Sequence, residues 1–450
     1  MLSVTYSELL RGNKNFRRLW TGQVISELGT WFSFIAELGL VRMFSGSAMA
    51  TTGLLIARML PFLIVAPFAG VFVDRRSRKQ ILIATDLLRA VIALMYLAAG
   101  SVGSLWFIFV CAALESSLGT FFEAAKNAAL PNVATRRELL TANVMMLSTR
   151  FLQFTVGAAL GGITAAYFGY EAAFIVNSLS FVLSALCIAP IPASAMRKTG
   201  EERLEAQAAA ADSSGGLPVA GELKPVEQAP RAFFSDLREG LHYIWSTPFV
   251  RGVILVNIGW AMGGGMNNIL YDQMGGHVFA GEGDRGDWGV AMIFTAVGAG
   301  LFIGMMLARR AGAWAADQRR AGHFIGWSLI AHGLCFSLAG FMPSLALMAL
   351  LLAASRFIIG MEFGVQETMV MRVTPDEYRG RVFTTDRALE LTMMMISMVV
   401  GGWLLTKYSP STMMIASGIL SATPGIAWLL AMWLARFKVP ARAVSESYGD

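Results

Sequence analysis

The chemistry open to this chain rests on a few ionisable residues set in long apolar surroundings. Glu27 and Glu37 share one apolar stretch, Arg58 lies in the next, and Glu115, Glu123, Lys126, Arg150, Arg356, Glu362, Glu367 and Glu390 fall in later ones. An unpaired charge at that depth in hydrocarbon costs at least about 2.5–3.5 kcal/mol, so such residues pair, take up a proton or face a cavity. Glu37 and Arg58 sit at overlapping depths when counted from the ends of their stretches at about 1.5 Å per residue. They form a candidate pair, either a structural bridge between adjacent helices or a couple that a proton can open. Glu27, nearer the middle of its stretch, is a candidate proton carrier, because burial favours the neutral form of a lone carboxyl. Its plainer role is a hydrogen bond to a neighbouring helix.

The elements that hold these residues are membrane-spanning helices. Of 450 residues, 55% are hydrophobic and only 15% charged, against about 25% charged in a typical soluble domain. Apolar spans recur at roughly 17–43, 49–73, 80–100, 104–130, 139–167, 171–190, 248–272, 288–309, 322–342, 344–371, 382–407 and 410–436. Each approaches or exceeds the roughly 20 residues that cross a bilayer. The expectation is an all-α integral membrane protein of twelve transmembrane helices in two six-helix halves, 17–190 and 248–436. A segment 1–16, a linker 191–247 and a tail 437–450 lie outside them. The linker contains AQAAAADSSGGLPVAGELKPVEQAPRA, which reads as flexible, preceded by RKTGEERLEAQAAAA, a candidate short surface helix. The first residues are polar and basic rather than an apolar leader, so the first apolar helix is expected to be retained.

Basic residues sort to one side. Counting the N-terminus as that side, it carries Arg11, Lys14, Arg17, Arg18, Arg75, Arg76, Arg78, Lys79 and the linker and tail cations, while the other side has only Arg42, Arg285 and Lys407. Such asymmetry places both termini and the linker in the cytoplasm. It also excludes a nucleic-acid partner, because the net charge of +6 is spread over every inner loop. The cysteines Cys111, Cys187 and Cys335 fall within apolar spans, and no two of the four histidines stand at metal-ligand spacing. Neither a metal nor an organic cofactor is expected, and an enzyme would need an activated nucleophile or ligand cluster that the pattern does not offer.

The halves are related by an internal repeat. Val133 and Val373 are 240 residues apart, as are Gly161–Gly162 and Gly401–Gly402. Duplicated halves place a binding site between them at mid-membrane. Glu115 and Arg356 nearly correspond in the repeat and are candidates to face one cavity, with Trp31 and Phe34 supplying apolar wall. Separate structural pairs are the alternative. Arg150 and Glu390 correspond at the basic side and are inner-gate candidates. In GWAMGGGMNNILYDQM, the polar Asn267, Asn268, Tyr271 and Asp272 read as the wet end of a helix or as an exit lining.

One stretch resembles a known family. GVFVDRRSRK, between the second and third spans, is similar to the signature G-x-x-x-D-R-x-G-R-[RK] of the major facilitator superfamily. Gly70, Asp74, Arg75, Arg78 and Lys79 match, while Ser77 replaces a glycine. In the fifth span Gly157, Gly161 and Gly162 match the family's antiporter motif G-P-x-x-G-G, with Ala158 in the proline position. The whole chain resembles the bacterial branch of enterobactin exporters and macrolide-efflux-like permeases. That resemblance implies an inner-membrane secondary transporter, expected as a monomer, exporting a siderophore, drug or similar amphiphile on a proton gradient. A lipid translocator on the same fold and a non-transporting receptor or scaffold are the alternatives. It also implies that Asp74 latches onto the start of the eleventh helix, near Gly380–Val382, when the transporter faces outward.

Overall fold

A computed structural model describes residues 4–135, 137–196, 229–281, 286–314 and 318–434. The candidate helix 197–211, the rest of the expected linker to 228, Arg136, Arg285 and the tail 437–450 lie outside the described residues. Within them the chain is helical with no strand. A short α1 (Tyr6–Gly12) precedes α2 (Lys14–Phe44), α3 (Ala48–Arg75), α4 (Arg78–Met95), α5 (Leu105–Val133) and α6 (Leu139–Ile188). After the linker come α7 (Ala229–Ser246), α8 (Pro248–Gly264), α9 (Asn267–Gln273), α10 (Asp287–Trp314), α11 (Gln318–Ala339), α12 (Leu345–Val373), α13 (Asp376–Leu404) and α14 (Pro410–Trp433).

Hydrocarbon offers no partner to backbone N–H and C=O groups, so apolar segments of this length close their hydrogen bonds internally as helices. Among the described residues, eleven segments are long and apolar enough to cross a membrane, and the chain is a multi-pass membrane protein. One of the eleven, Leu139–Ile188, is broken at Gly169, whose φ of 83° suits glycine. That break falls where the sequence places the boundary between its fifth and sixth spans.

The expected span 248–272 is interrupted. The helix α8 ends at Gly264 and α9 resumes at Asn267. Glycines are required there because neighbours press close: a Cβ on Gly265 would lie 2.8 Å from the Met394 Cα, and one on Gly263 2.7 Å from the Ser421 nitrogen. The expected linker also departs from plain coil near its end. There α7 docks on α13 through an ion pair of Glu239 with Arg381 at 2.9 Å and stacking of Tyr243 on Tyr378.

The apolar core is unevenly shared. Away from the basic end, one cluster runs through both halves, joining Phe34, Ile35 and Leu38 to Phe294, Val297 and Phe336. Toward the basic end it divides. Phe16, Val73, Leu82 and Leu130 pack within the first half, and Phe249, Ile325, Val370 and Trp428 within the second.

Candidate transport site and gate

Helix α2 brings Phe34 and Glu37 onto one face, one turn apart. Arg58 on α3 donates from Nη1 to Glu37 Oε2 at 2.6 Å, and its guanidinium lies 5.1 Å from the Phe34 ring centre. Glu37 is fully buried. The buried Glu115 on α5 lies close enough for its charge to act on both partners. It accepts from Asn177 at 3.4 Å, and Asn177 also donates to Ser33 at 2.7 Å. The other oxygen of Glu115 has no hydrogen-bond partner among the described residues. Two carboxylates and one arginine therefore share this interior.

The second half answers with an arginine lacking a carboxylate partner among the described residues. Arg356 on α12 donates from Nε and Nη2 to the Tyr271 hydroxyl, at 3.1 and 2.6 Å. Its guanidinium lies 5.9 Å from the ring centres of both Tyr271 and Phe336. Beside it, the Trp260 indole donates to His332 Nε2 at 3.3 Å, while His332 Nδ1 lies 2.6 Å from Ser355 Oγ. With Nε2 accepting, the neutral ring carries its proton on Nδ1.

An aromatic file joins the two charge centres across the halves. Trp31 stacks on Phe154 at 4.4 Å and meets Phe34 edge-on at 5.5 Å. Phe34 then meets Phe294 at 5.4 Å, and Phe294 meets Tyr271 at 5.5 Å. Trp31 and Phe34 thus stand in this file, Phe34 at the contact between the halves. Glu115 and Arg356 do not touch; each is held within its own half.

The sequence reading missed the most polar contact between the halves. Arg42, at the end of α2, pairs with both Asp272 on α9 and Asp287 on α10. Thr51 on α3 donates to Asp272 at 2.8 Å, and the Tyr170 hydroxyl donates to Asp287 at 3.2 Å. Asn267, Tyr271 and Asp272 are each at most 2% exposed, so the wet helix end expected there is instead a sealed, ion-paired closure. The backbone stays right-handed through Gly265 and Met266 into α9, which carries these side chains inward. The signal was present: Arg42 is one of only three cations on its side of the chain.

At the basic end, Asp74 and Gly70 are exposed, and a Cβ on Gly70 would meet open space. Arg75 is exposed, Lys79 is half-buried, and Arg78 donates to the Met196 carbonyl at 3.0 Å. The expected latch of Asp74 onto Gly380–Val382 is not formed in this conformation, which is closed at the other end. Arg150 is exposed and does not meet Glu390, which pairs with Arg387 at 2.7 Å on its own helix. Glu27 accepts from Gln23 at 3.1 Å, and Lys126 pairs with Glu123 at 2.7 Å.

The glycines of α6 allow close helix contact. A Cβ on Gly157 would lie 2.6 Å from the Trp31 Cβ, and one on Gly161 3.0 Å from the Phe32 Cα, while Gly162 abuts Ala291 of the other half. The repeat holds here: Gly401 packs on Met266 of its own half and Gly402 on Thr52 of the other. No cluster of metal-ligating side chains occurs among the described residues.

Apolar helices in two packed halves, with buried charges and aromatics between them and an ion-paired closure at one end, are the architecture of a membrane transporter. The chain belongs to the Major Facilitator Superfamily, whose family model matches residues 19–385. It is 29% identical to the uncharacterized MFS-type transporter YfiS of Bacillus subtilis, over 46% of this chain and half of that protein. It is 24% identical to the multidrug efflux pump Tap of Mycolicibacterium fortuitum, over 79% of this chain and 80% of Tap. It is 20% identical to macrolide efflux protein A of Streptococcus pyogenes, covering 90% and 93%. The nucleoside transporter NupG superposes with a TM-score of 0.62 at 11% identity over 92% of this chain and 99% of NupG, a likeness of fold.

Proposed function

We propose that this protein is a secondary transporter that exports an amphiphilic small molecule from the bacterial cytoplasm across the inner membrane by alternating access, coupled to protons. The observation that carries this reading is the aromatic file from Trp31 to Tyr271, ending on Arg356, a buried cation held by a hydroxyl instead of a carboxylate. Such a site offers flat apolar surface plus charge, which suits a drug or siderophore with aromatic and ionised parts. The efflux function of Tap and of macrolide efflux protein A supports export. The basic end is cytoplasmic by the distribution of arginine and lysine, so the Arg42 closure is the outer gate and this conformation faces inward.

Alternating access then has two locks. Arg42 with Asp272 and Asp287 holds the outer ends, and Asp74 at the start of α13 holds the inner ends after the halves rock. Flux of siderophores, cationic drugs and lysolipids into proteoliposomes, with and without a proton gradient, tests the reading. Gradient-dependent flux of a drug or siderophore is expected; flux insensitive to the gradient for all three classes would overturn proton coupling.

A second reading, lipid translocation, draws on one observation. A cleft of about 300 Å³ lies between α3 and α13, lined by Phe62, Leu63, Ala66, Phe383, Thr384, Arg387 and Ala388. Its walls are apolar with one cation, and transport of lysolipids alone in the same assay would select it.

A further inference from the structure

The second half holds a buried carboxyl that the transport site does not use. Glu362 lies on α12, six residues beyond Arg356 toward the basic end, and is 3% exposed. Its Oε1 has no hydrogen-bond partner, and no ion pair of Glu362 occurs among the described residues. It borders a small cavity of about 10 Å³ whose wall includes Asn257, Trp260 and Gln366, room for about one water molecule.

Polar groups leave this cavity in two directions. Toward the basic end, Gln366 donates to Asn257 Oδ1 at 2.9 Å, and Asn257 Nδ2 donates to both oxygens of Asp386, at 3.2 and 3.0 Å. Toward the transport site, Trp260 donates to His332, which meets Ser355 next to Arg356. The titratable groups around Glu362 are therefore Asp386 with Glu390 and Arg387 from α13, His332 from α11, and Arg356 and Glu367 on α12 itself. From α10, Gly300, Gly304 and Ala308 abut α12 and carry no charge. None of these cations pairs with Glu362. By contrast Glu37, in the first half, is clamped by Arg58.

An ionised carboxylate buried without a partner is heavily penalised, and the group neutralises instead. We propose that Glu362 is a proton-binding site of the second half, reached from the basic end past Asp386 and Asn257. Binding neutralises Glu362 in place, and loss of the proton leaves a bare charge one cavity away from the Trp260–His332–Ser355–Arg356 chain. The site adds to the proton-coupled export reading but does not depend on it for its test.

Two substrate-free measurements on the purified full-length protein decide it. First, infrared difference spectra across a pH titration should show the carbonyl band of a protonated carboxyl at neutral pH that is missing from Glu362→Gln. Second, dicyclohexylcarbodiimide, which modifies protonated carboxyls in apolar surroundings, should label Glu362 by peptide mass spectrometry, at least tenfold less at alkaline pH. Glu362→Asp should restore the band at a shifted frequency. An unchanged band in Glu362→Gln, or labelling of other carboxyls but never Glu362 in wild type, would overturn the site. Band and labelling present without gradient-driven flux would uphold the site and sink proton-coupled export; their absence with gradient-driven flux would do the reverse.

Discussion

Tyr271 and Asp272 are consecutive on α9, yet they hold arginines of opposite halves: Tyr271 accepts from Arg356, and Asp272 pairs with Arg42. Neighbours on a helix diverge by about 100° at 3.6 residues per turn, so one residue faces the transport site and the next faces the gate. A displacement of Arg356 from Tyr271 would therefore free the residue that adjoins the Arg42–Asp272 contact.

The first prediction tests that adjacency. Asp272→Asn should open the outer end, and Tyr271→Phe should weaken it without touching the gate. Spin labels at the exposed Met43 and Val278, one on each side of the gate, report the opening as longer distances. The coupling between the two substitutions should be about 0.5–3 kcal/mol. Strict additivity would mean that α9 does not connect the sites.

Removing Arg58 strands Glu37. Arg58→Gln should cost about 3–5 kcal/mol, the usual penalty for breaking a buried pair from one side. The double change Glu37→Gln with Arg58→Gln should recover part of it, since no bare charge remains. Thermal unfolding in detergent gives the comparison; equal losses in single and double variants would show that packing, not charge, is at stake. Gradient-driven flux at full rate in Glu37→Gln would make the pair a structural bridge only.

Valine at Gly162 or Gly402 should separate the halves along the seam each occupies. Gly162 abuts Ala291 and Gly402 abuts Thr52, so neither site has room for a branched side chain. Overpacking costs about 1–3 kcal/mol. Both variants should lower the melting temperature and slow transport, and a variant indistinguishable from wild type would show that the seam is open.

Asp74→Asn should leave the inward-facing state unchanged, because Asp74 is exposed there and makes no hydrogen bond or ion pair among the described residues. It should shift the balance away from the outward-facing state by about 0.3–2 kcal/mol, the worth of a carboxylate at a helix N-terminus. Labels on α3 and α13 at the basic end would read the shift. No change in balance or transport would remove the inner latch.

Acid should loosen the N-terminal helix. Burial by itself raises the Glu138 carboxyl, but hydrogen bonds from the Thr135 backbone and the Asn13 side chain hold it below its ordinary value of 4.5. Asn13 also donates to the Val133 carbonyl at 2.8 Å, so the contact ties α1 and α2 to the end of α5. A lowered folded value means the stabilisation is complete above the ordinary carboxylate range and is lost as pH falls through the folded value. Hydrogen exchange should show α1 amides unprotected in acid before the transmembrane helices respond. Simultaneous loss would mean that Glu138 does not control docking.

Much of the fold was legible because hydrocarbon imposes simple rules: spans follow from apolar length and the repeat from spacing. The Glu37–Arg58 pair was legible for the same reason, since depth along a helix is countable. What stayed hidden depends on azimuth and helix breaks. Depth places Asn267–Asp272 near a membrane surface but does not say which way each faces, and Asp272 faces Arg42. Arg150 and Glu390 correspond in the repeat, yet α6 leaves Arg150 exposed and Arg387 takes Glu390. Equivalent positions in duplicated halves need not face each other.

The glycine seams carry one more consequence. Where Gly162 meets Ala291 and Gly402 meets Thr52, the helices touch over small side chains with little to interlock. Surfaces of that kind behave as bearings that guide rotation. Position is then held by the apolar cluster shared between the halves and by polar contacts at the rim, where Arg42 holds both aspartates.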